Sequence, residues 1–197
     1  MAADMAKSGE EVTLVDLDIV NPYFRSSDYG DFIKENGIEL IAPVFAHSNL
    51  DLPSLPVEMY SIFTRKGKRI IDVGGDDSGA TALGRFAPQL MNTDYTMLYV
   101  INKYRIQSTT PQEACELLGE IESASRLKAD YIVNNSHLME YTDAETVRAS
   151  FAFTDEVSKT VGLPVAFTSV SSEFAADLER ETEVYPIDVI VKKPWEN

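Results

Sequence analysis

Apolar β-forming runs and helical stretches alternate along almost the whole chain. Residues 12–16 read Val-Thr-Leu-Val-Asp, a run of β-branched and aliphatic side chains that ends in acid. Comparable runs at residues 39–42, 69–73, 96–101, 131–133 and 165–168 predict further strands. Between them the spacing of apolar residues changes to the helical period of three to four. Helices are expected over residues 24–35, 56–64, 80–91, 110–125 and 143–161, with a short one over 172–180. Residues 2–7 read as the last turns of a helix, closed by Ser8-Gly9. Thr110-Pro111 is a start signal, a hydroxyl cap followed by proline at the first helical position. Asn36-Gly37 and Gly162 are stops. A long loop covers residues 43–53, and a last apolar run covers 187–191.

Strands that alternate with helices of this length build βαβ units, because parallel strands need a crossover. The expected fold class is α/β: a three-layer, mostly parallel sheet with helices on both faces. No internal repeat, low-complexity tract or linker-like stretch appears, so a single domain over residues 1–197 is expected.

Composition adds exclusions. A formal net charge of -15 disfavours nucleic acid as a partner, since phosphate backbones need Lys and Arg. It disfavours adsorption to anionic lipid for the same reason. The one cysteine, Cys115, allows no internal disulfide and fits a reducing compartment. It sits in a helical pattern and reads as a buried thiol, with nothing nearby to lower its pKa. No run is long enough to span a membrane, and the start is too short and polar for a signal peptide. A cytoplasmic protein is expected. His47 and His137 are isolated and lack metal-ligand spacing.

The candidate chemistry lies where strands end. Asp16 and Asp18 follow the first run, and Asp72 with Gly74-Gly75-Asp76-Asp77 follows the third. Asn102 and Asn134-Asn135 close two later ones. In open α/β sheets, ligands bind outside the carboxyl ends of the strands. Paired carboxylates there point to a divalent metal and a phosphate. Aspartates after strands also close turns and cap helices, and Asp76 and Asp77 stand where caps are expected.

Taken in order, these motifs resemble the MinD/ParA branch of P-loop NTPases (the deviant Walker family, with CobQ/CobB-type relatives) over nearly the whole chain. Val15-Asp16-Leu17-Asp18 is similar to that branch's second strand and switch motif. Ile71-Asp72-Val73-Gly74-Gly75 is similar to its Walker B strand. Ile101-Asn102-Lys103 resembles the strand that follows, and Val133-Asn134-Asn135 the end of the base-recognition strand. The resemblance implies ATP and Mg2+ as cofactors and hydrolysis coupled to dimerisation, with a homodimer and a further protein as partners. It gives Asp16 and Asp18 the orienting of water, Asp72 and Asp16 the metal, and Asn134 with Asn102 the nucleotide.

The phosphate loop of that branch has no counterpart. It should lie before Ala2, and no G-x-x-x-x-G-K-[ST] occurs in the sequence. The one glycine-containing basic run, residues 65–69, leads into a strand and not a helix. A phosphate loop works by aiming backbone N–H groups and a helix N-terminus at the anion, with lysine completing the cradle. The expectation is a domain truncated at its N-terminus relative to the branch, lacking the first strand and phosphate loop. Alone, it should not be a competent ATPase. The strand in question would lie between residues 70–73 and 96–101, and the run 187–191 is a candidate to fill its place. Two alternatives remain open at this level. One is a non-catalytic interaction module on the same fold. The other is a phosphatase resembling the haloacid dehalogenase class, with Asp16 as nucleophile and Asp18 as acid/base.

Overall fold

The computed structural model describes residues 1–18, 26–42, 57–179 and 181–191. The chain forms two units, Met1–Asn92 and Thr93–Asn197.

In the first unit, β1 (Val12–Asp16) lies between β2 (Glu39–Ile41) and β3 (Lys68–Asp72), all parallel. All five residues of β1 are buried, as expected of a central parallel strand covered on both faces. One face of β1, Val12 and Leu14, packs with Ile33 and Ile38. Helices α1 (Ala2–Lys7) and α2 (Gly30–Glu35) cover that cluster through Ala2, Met5, Ala6 and Phe32. On the other face Val15 and Leu17 are fully buried.

The expected helix over 24–35 is a 3-10 turn, Ser26–Tyr29, followed by α2, and residues 24 and 25 lie outside the described residues. Of the expected helix over 56–64, residue 56 lies outside the described residues and Val57–Phe63 forms a 3-10 helix. The long loop at 43–53 also falls outside the described residues. The expected helix over 80–91 is two helices, α3 (Asp77–Gly84) and α4 (Ala87–Leu90). Pro88 lies in the first turn of α4, where its missing N–H costs nothing.

In the second unit four parallel strands run in the order β4 (Leu98–Ile101), β5 (Tyr131–Asn134), β6 (Val165–Ser171), β7 (Val184–Ile187). Helix α5 (Pro111–Ser125) opens with a full capping box: Thr110 takes the Glu113 N–H, and the Glu113 carboxylate takes the Thr110 N–H. It packs on β4, where the Tyr99 hydroxyl donates to the Ala114 carbonyl at 2.8 Å.

The expected helix over 143–161 is broken into α6 (Ala144–Arg148) and α7 (Phe151–Val161). At the break, buried Ser150 donates its hydroxyl to the Val147 carbonyl at 2.6 Å. Gly162 ends α7 in the left-handed conformation, φ +73°. Of the expected helix over 172–180, residue 180 lies outside the described residues and the rest holds only a 3-10 turn, Ala175–Asp177. It supplies Ala175 to a small core with Val147, Val170 and Leu178.

The apolar tail run does not take a place beside β3 or β4. Its first residue, Ile187, ends β7 and pairs with Ser171 of β6, at the sheet edge opposite β4. Among the described strands, β3 is an edge of the first sheet and β4 an edge of the second.

Candidate functional site

The parallel register of β1 and β3 sets Asp16 directly against Asp72 at the carboxyl end of the first sheet. Asp16 is 0% exposed. Its Oδ1 accepts the Asp18 N–H at 3.0 Å, and its Oδ2 accepts the Ser27 N–H at 2.8 Å. Asp72 Oδ2 accepts the Ser26 hydroxyl at 2.5 Å. Burial pushes the Asp72 carboxyl above its ordinary pKa. The Ser26 bond pulls it back, and the charges of Asp16 and Asp18 push it up again. Two consecutive serines are thus fastened to two neighbouring strand-end aspartates. Neither serine belongs to a motif that marks it in the sequence.

Asp18 lies against the loop that follows β3. A Cβ on Gly74 would stand 3.0 Å from Asp18 Oδ1, so glycine lets the loop approach that carboxylate. The same loop is closed by a second glycine: a Cβ on Gly79 would stand 2.6 Å from the Gly74 carbonyl oxygen. Asp76 caps α3, its Oδ1 accepting the Gly79 N–H at 2.9 Å. Asp76 therefore has the structural role its position suggests.

Asp16 and Asp72 come together through the register of β1 and β3, and the charge of Asp18 is felt at Asp72. Among the described residues no ion pair involves Asp16 or Asp72. No group of three or more His, Cys, Asp and Glu among them is arranged to hold a metal. A magnesium ion usually takes one or two carboxylates, with water and substrate phosphate completing its shell. The donor set fits that pattern through Asp72, which is only half-buried. Both Asp16 oxygens are committed to backbone N–H groups and closed to solvent.

In the second unit, Asn102 follows β4 and Asn134 is the last residue of β5, paired to Ile101. Asn134 is 0% exposed. Its Nδ2 donates to the Ser150 hydroxyl at 2.8 Å, and its Oδ1 accepts the Ser136 N–H at 3.2 Å. Asn102 Oδ1 accepts the N–H groups of Tyr104 at 2.9 Å and His137 at 3.3 Å. Asn135 Oδ1 accepts the Ser169 hydroxyl at 2.5 Å, which ties the end of β5 to β6. Burial lowers the His137 pKa. Its Nδ1 accepts the Met139 N–H at 3.3 Å, which requires the neutral ring. Ser150 and Ser169 were not legible as site residues, because each acts through a partner distant in sequence, while Ser136 offers its backbone N–H to a residue two positions away. The three aspartates lie in the first unit and the two asparagines in the second.

No helix among the described residues is long and apolar enough to cross a membrane. No family model matches the sequence, and no curated protein matches it. Solved structures do. Chloroplast FtsY from Physcomitrella patens matches with a TM-score of 0.55 and 13% identity, over 95% of this chain and 55% of that one. FtsY from Mycoplasma mycoides matches with a TM-score of 0.53 and 13% identity, over 87% of this chain and 54% of that one. The signal recognition particle 54 kDa protein from Aeropyrum pernix, in complex with GDP, matches with a TM-score of 0.50 and 15% identity, over 85% of this chain and 37% of that one. This chain therefore spans about half, or less, of the length of those structures. At such identities the likeness speaks for the fold alone. Parallel sheets with helices on both faces give this chain the P-loop NTPase-like α/β fold.

Proposed function

We propose that this chain is a nucleotide-binding domain of the MinD/ParA type, taking ATP with Mg2+. The observation that carries the reading is the in-register pairing of Asp16 with Asp72 at the carboxyl end of a parallel sheet. The nucleoside diphosphate bound to one of the similar structures supports a nucleotide as ligand. Asp72 is the carboxylate that would hold the ion, directly or through water. Mg2+ so held would neutralise charge on the phosphates. Asp18, beside Gly74, would orient water there. Asp16 would keep the segment that carries Ser26 and Ser27 in place. Asn102 and Asn134 would hold the loops that follow β4 and β5 in the second unit. Dimerisation of two copies would accompany nucleotide binding.

The sequence contains no G-x-x-x-x-G-K-[ST] motif. Asp16, Asp18 and Asp72 would then face the phosphates without lysine or a ring of N–H donors, which weakens both binding and catalysis. The chain by itself is expected to bind Mg-ATP only in the millimolar range and not to hydrolyse it. Calorimetric titration of the chain with Mg-ATP and Mg-GTP tests this. Weak, magnesium-dependent binding that Asp72→Asn abolishes supports the reading. Magnesium-independent binding, or none, removes it.

A second reading has its own observation. Asp16 and Asn134 spend both ends of their side chains inside the protein, as structural residues do. That favours a non-catalytic interaction module, and a folded chain that ignores nucleotide would select it. The phosphatase reading has no such support, since a nucleophile needs an oxygen open to substrate and Asp16 is 0% exposed.

A further inference from the structure

The first unit carries a concentrated cationic turn in a strongly acidic chain. Residues 65–69 read Arg-Lys-Gly-Lys-Arg, four of the 17 Lys and Arg against 32 Asp and Glu. The turn is held rigid. Gly67 has φ +83°, and a Cβ there would stand 2.3 Å from the Glu11 carbonyl oxygen, so only glycine fits. The Lys68 N–H donates to that same carbonyl at 2.8 Å.

The two arginines are engaged to different degrees. Arg65 pairs with Glu39 and donates Nε–H to the Ser61 hydroxyl at 3.0 Å. The Arg69 guanidinium donates to the Ile62 carbonyl at 3.2 Å. Lys66 and Lys68 are exposed, and neither has a side-chain hydrogen bond or ion pair among the described residues. Two solvated ammonium groups are therefore presented on a fixed turn.

We infer that this turn docks a short acidic segment of a partner protein. Lysine is a mobile point charge that pairs with an anion in no fixed geometry, as the carboxylates of a short flexible segment present themselves. Arg65 is already tied to Glu39 and Ser61, and Arg69 gives one N–H to the Ile62 carbonyl. A long polyanion such as nucleic acid would also have to run across a chain of net charge -15. A short segment stays within about 8 Å of the lysines, inside the screening length at physiological salt, and escapes most of that repulsion. Charge on an edge strand also discourages strand pairing, which accounts for Lys68 but not for Lys66, outside β3.

The turn is remote from the aspartates. Lys68 opens β3 and Asp72 closes it, about 13 Å apart at the usual strand rise. Docking and nucleotide binding can therefore be tested separately.

The test is a titration of the isotopically labelled full chain with a hexaglutamate peptide, followed through backbone amide shifts. At low salt, the amides of residues 65–69 are expected to shift. The affinity should fall at least tenfold in Lys66→Glu/Lys68→Glu and fall again as salt is raised. The charge-neutral pair Lys66→Gln/Lys68→Gln should show an intermediate loss, and each spectrum reports whether that variant is folded. No shift at 65–69, or shifts that survive both double variants, would overturn the inference. So would an oligothymidylate of equal charge that binds the same amides as tightly. Aggregation of the variants with unchanged peptide binding would assign the lysines to edge protection instead.

Discussion

Ser26 donates its hydroxyl to Asp72 across 46 residues of sequence, at the point where β3 ends. The next residue, Ser27, gives its backbone N–H to Asp16 on the adjacent strand. One dipeptide is thus fastened to both strand-end carboxylates, once through a side chain and once through the backbone. The difference has consequences for mutation.

Ser26→Ala removes a donor from a carboxylate that is half-buried. A hydrogen bond to a charged group contributes about 1.5–3 kcal/mol, so a loss of that order is expected in urea denaturation. Ser27→Ala keeps the backbone N–H and should stay within about 0.5 kcal/mol of the parent. Equal losses at the two positions would contradict the arrangement.

Asp72 predicts a pH dependence. Its folded-state pKa lies above the ordinary value of 3.8, first because of burial. The folded state then binds the proton more tightly than the unfolded chain. The stability this confers is fully present below pH 3.8 and is lost as pH rises through the folded pKa. Asp72→Asn keeps an acceptor for Ser26 but cannot ionise. The variant should be more stable than the parent at pH 7, with the advantage gone below pH 3.8. Urea midpoints at both pH values check it, and a gain independent of pH would refute it.

Two glycines should respond in opposite directions to alanine. At Gly79 the new Cβ would meet the Gly74 backbone, with the carbonyl oxygen at 2.6 Å. Overpacking against a rigid partner costs about 1–3 kcal/mol. At Gly119, inside α5, nothing lies within 4 Å of the new atom. Gly119→Ala should stabilise by about 1 kcal/mol through helix propensity alone. Thermal melts of the two variants give the comparison directly.

Asn134→Ala would leave the buried Ser136 N–H without its acceptor, while the Ser150 hydroxyl loses a donor but keeps its bond to the Val147 carbonyl. An unsatisfied buried N–H costs about 1–3 kcal/mol, and a loss of that order is expected. Asn102→Ala acts at a half-buried site that water can reach, and should cost less. The order of the two denaturation midpoints is the readout.

The sequence by itself determined the α/β class and the place of Asp16, Asp72, Asn102 and Asn134 at strand ends, because an apolar run and the polar residue that stops it are adjacent in the chain. It likewise determined the Thr110 cap and the Gly162 stop, which are local backbone chemistry. Only the tertiary structure decided that Asp16 stands opposite Asp72, since that pairing is set by the register of two distant strands. The two serines that occupy these carboxylates and the break at Ser150, whose hydroxyl serves Asn134 and the Val147 carbonyl, were decided the same way. The use of residues 184–187 as an edge beside β6 also came from pairing rather than from apolar content. Hydropathy period reports which residues seek burial, but hydrogen-bond partners far apart in sequence leave no period to read.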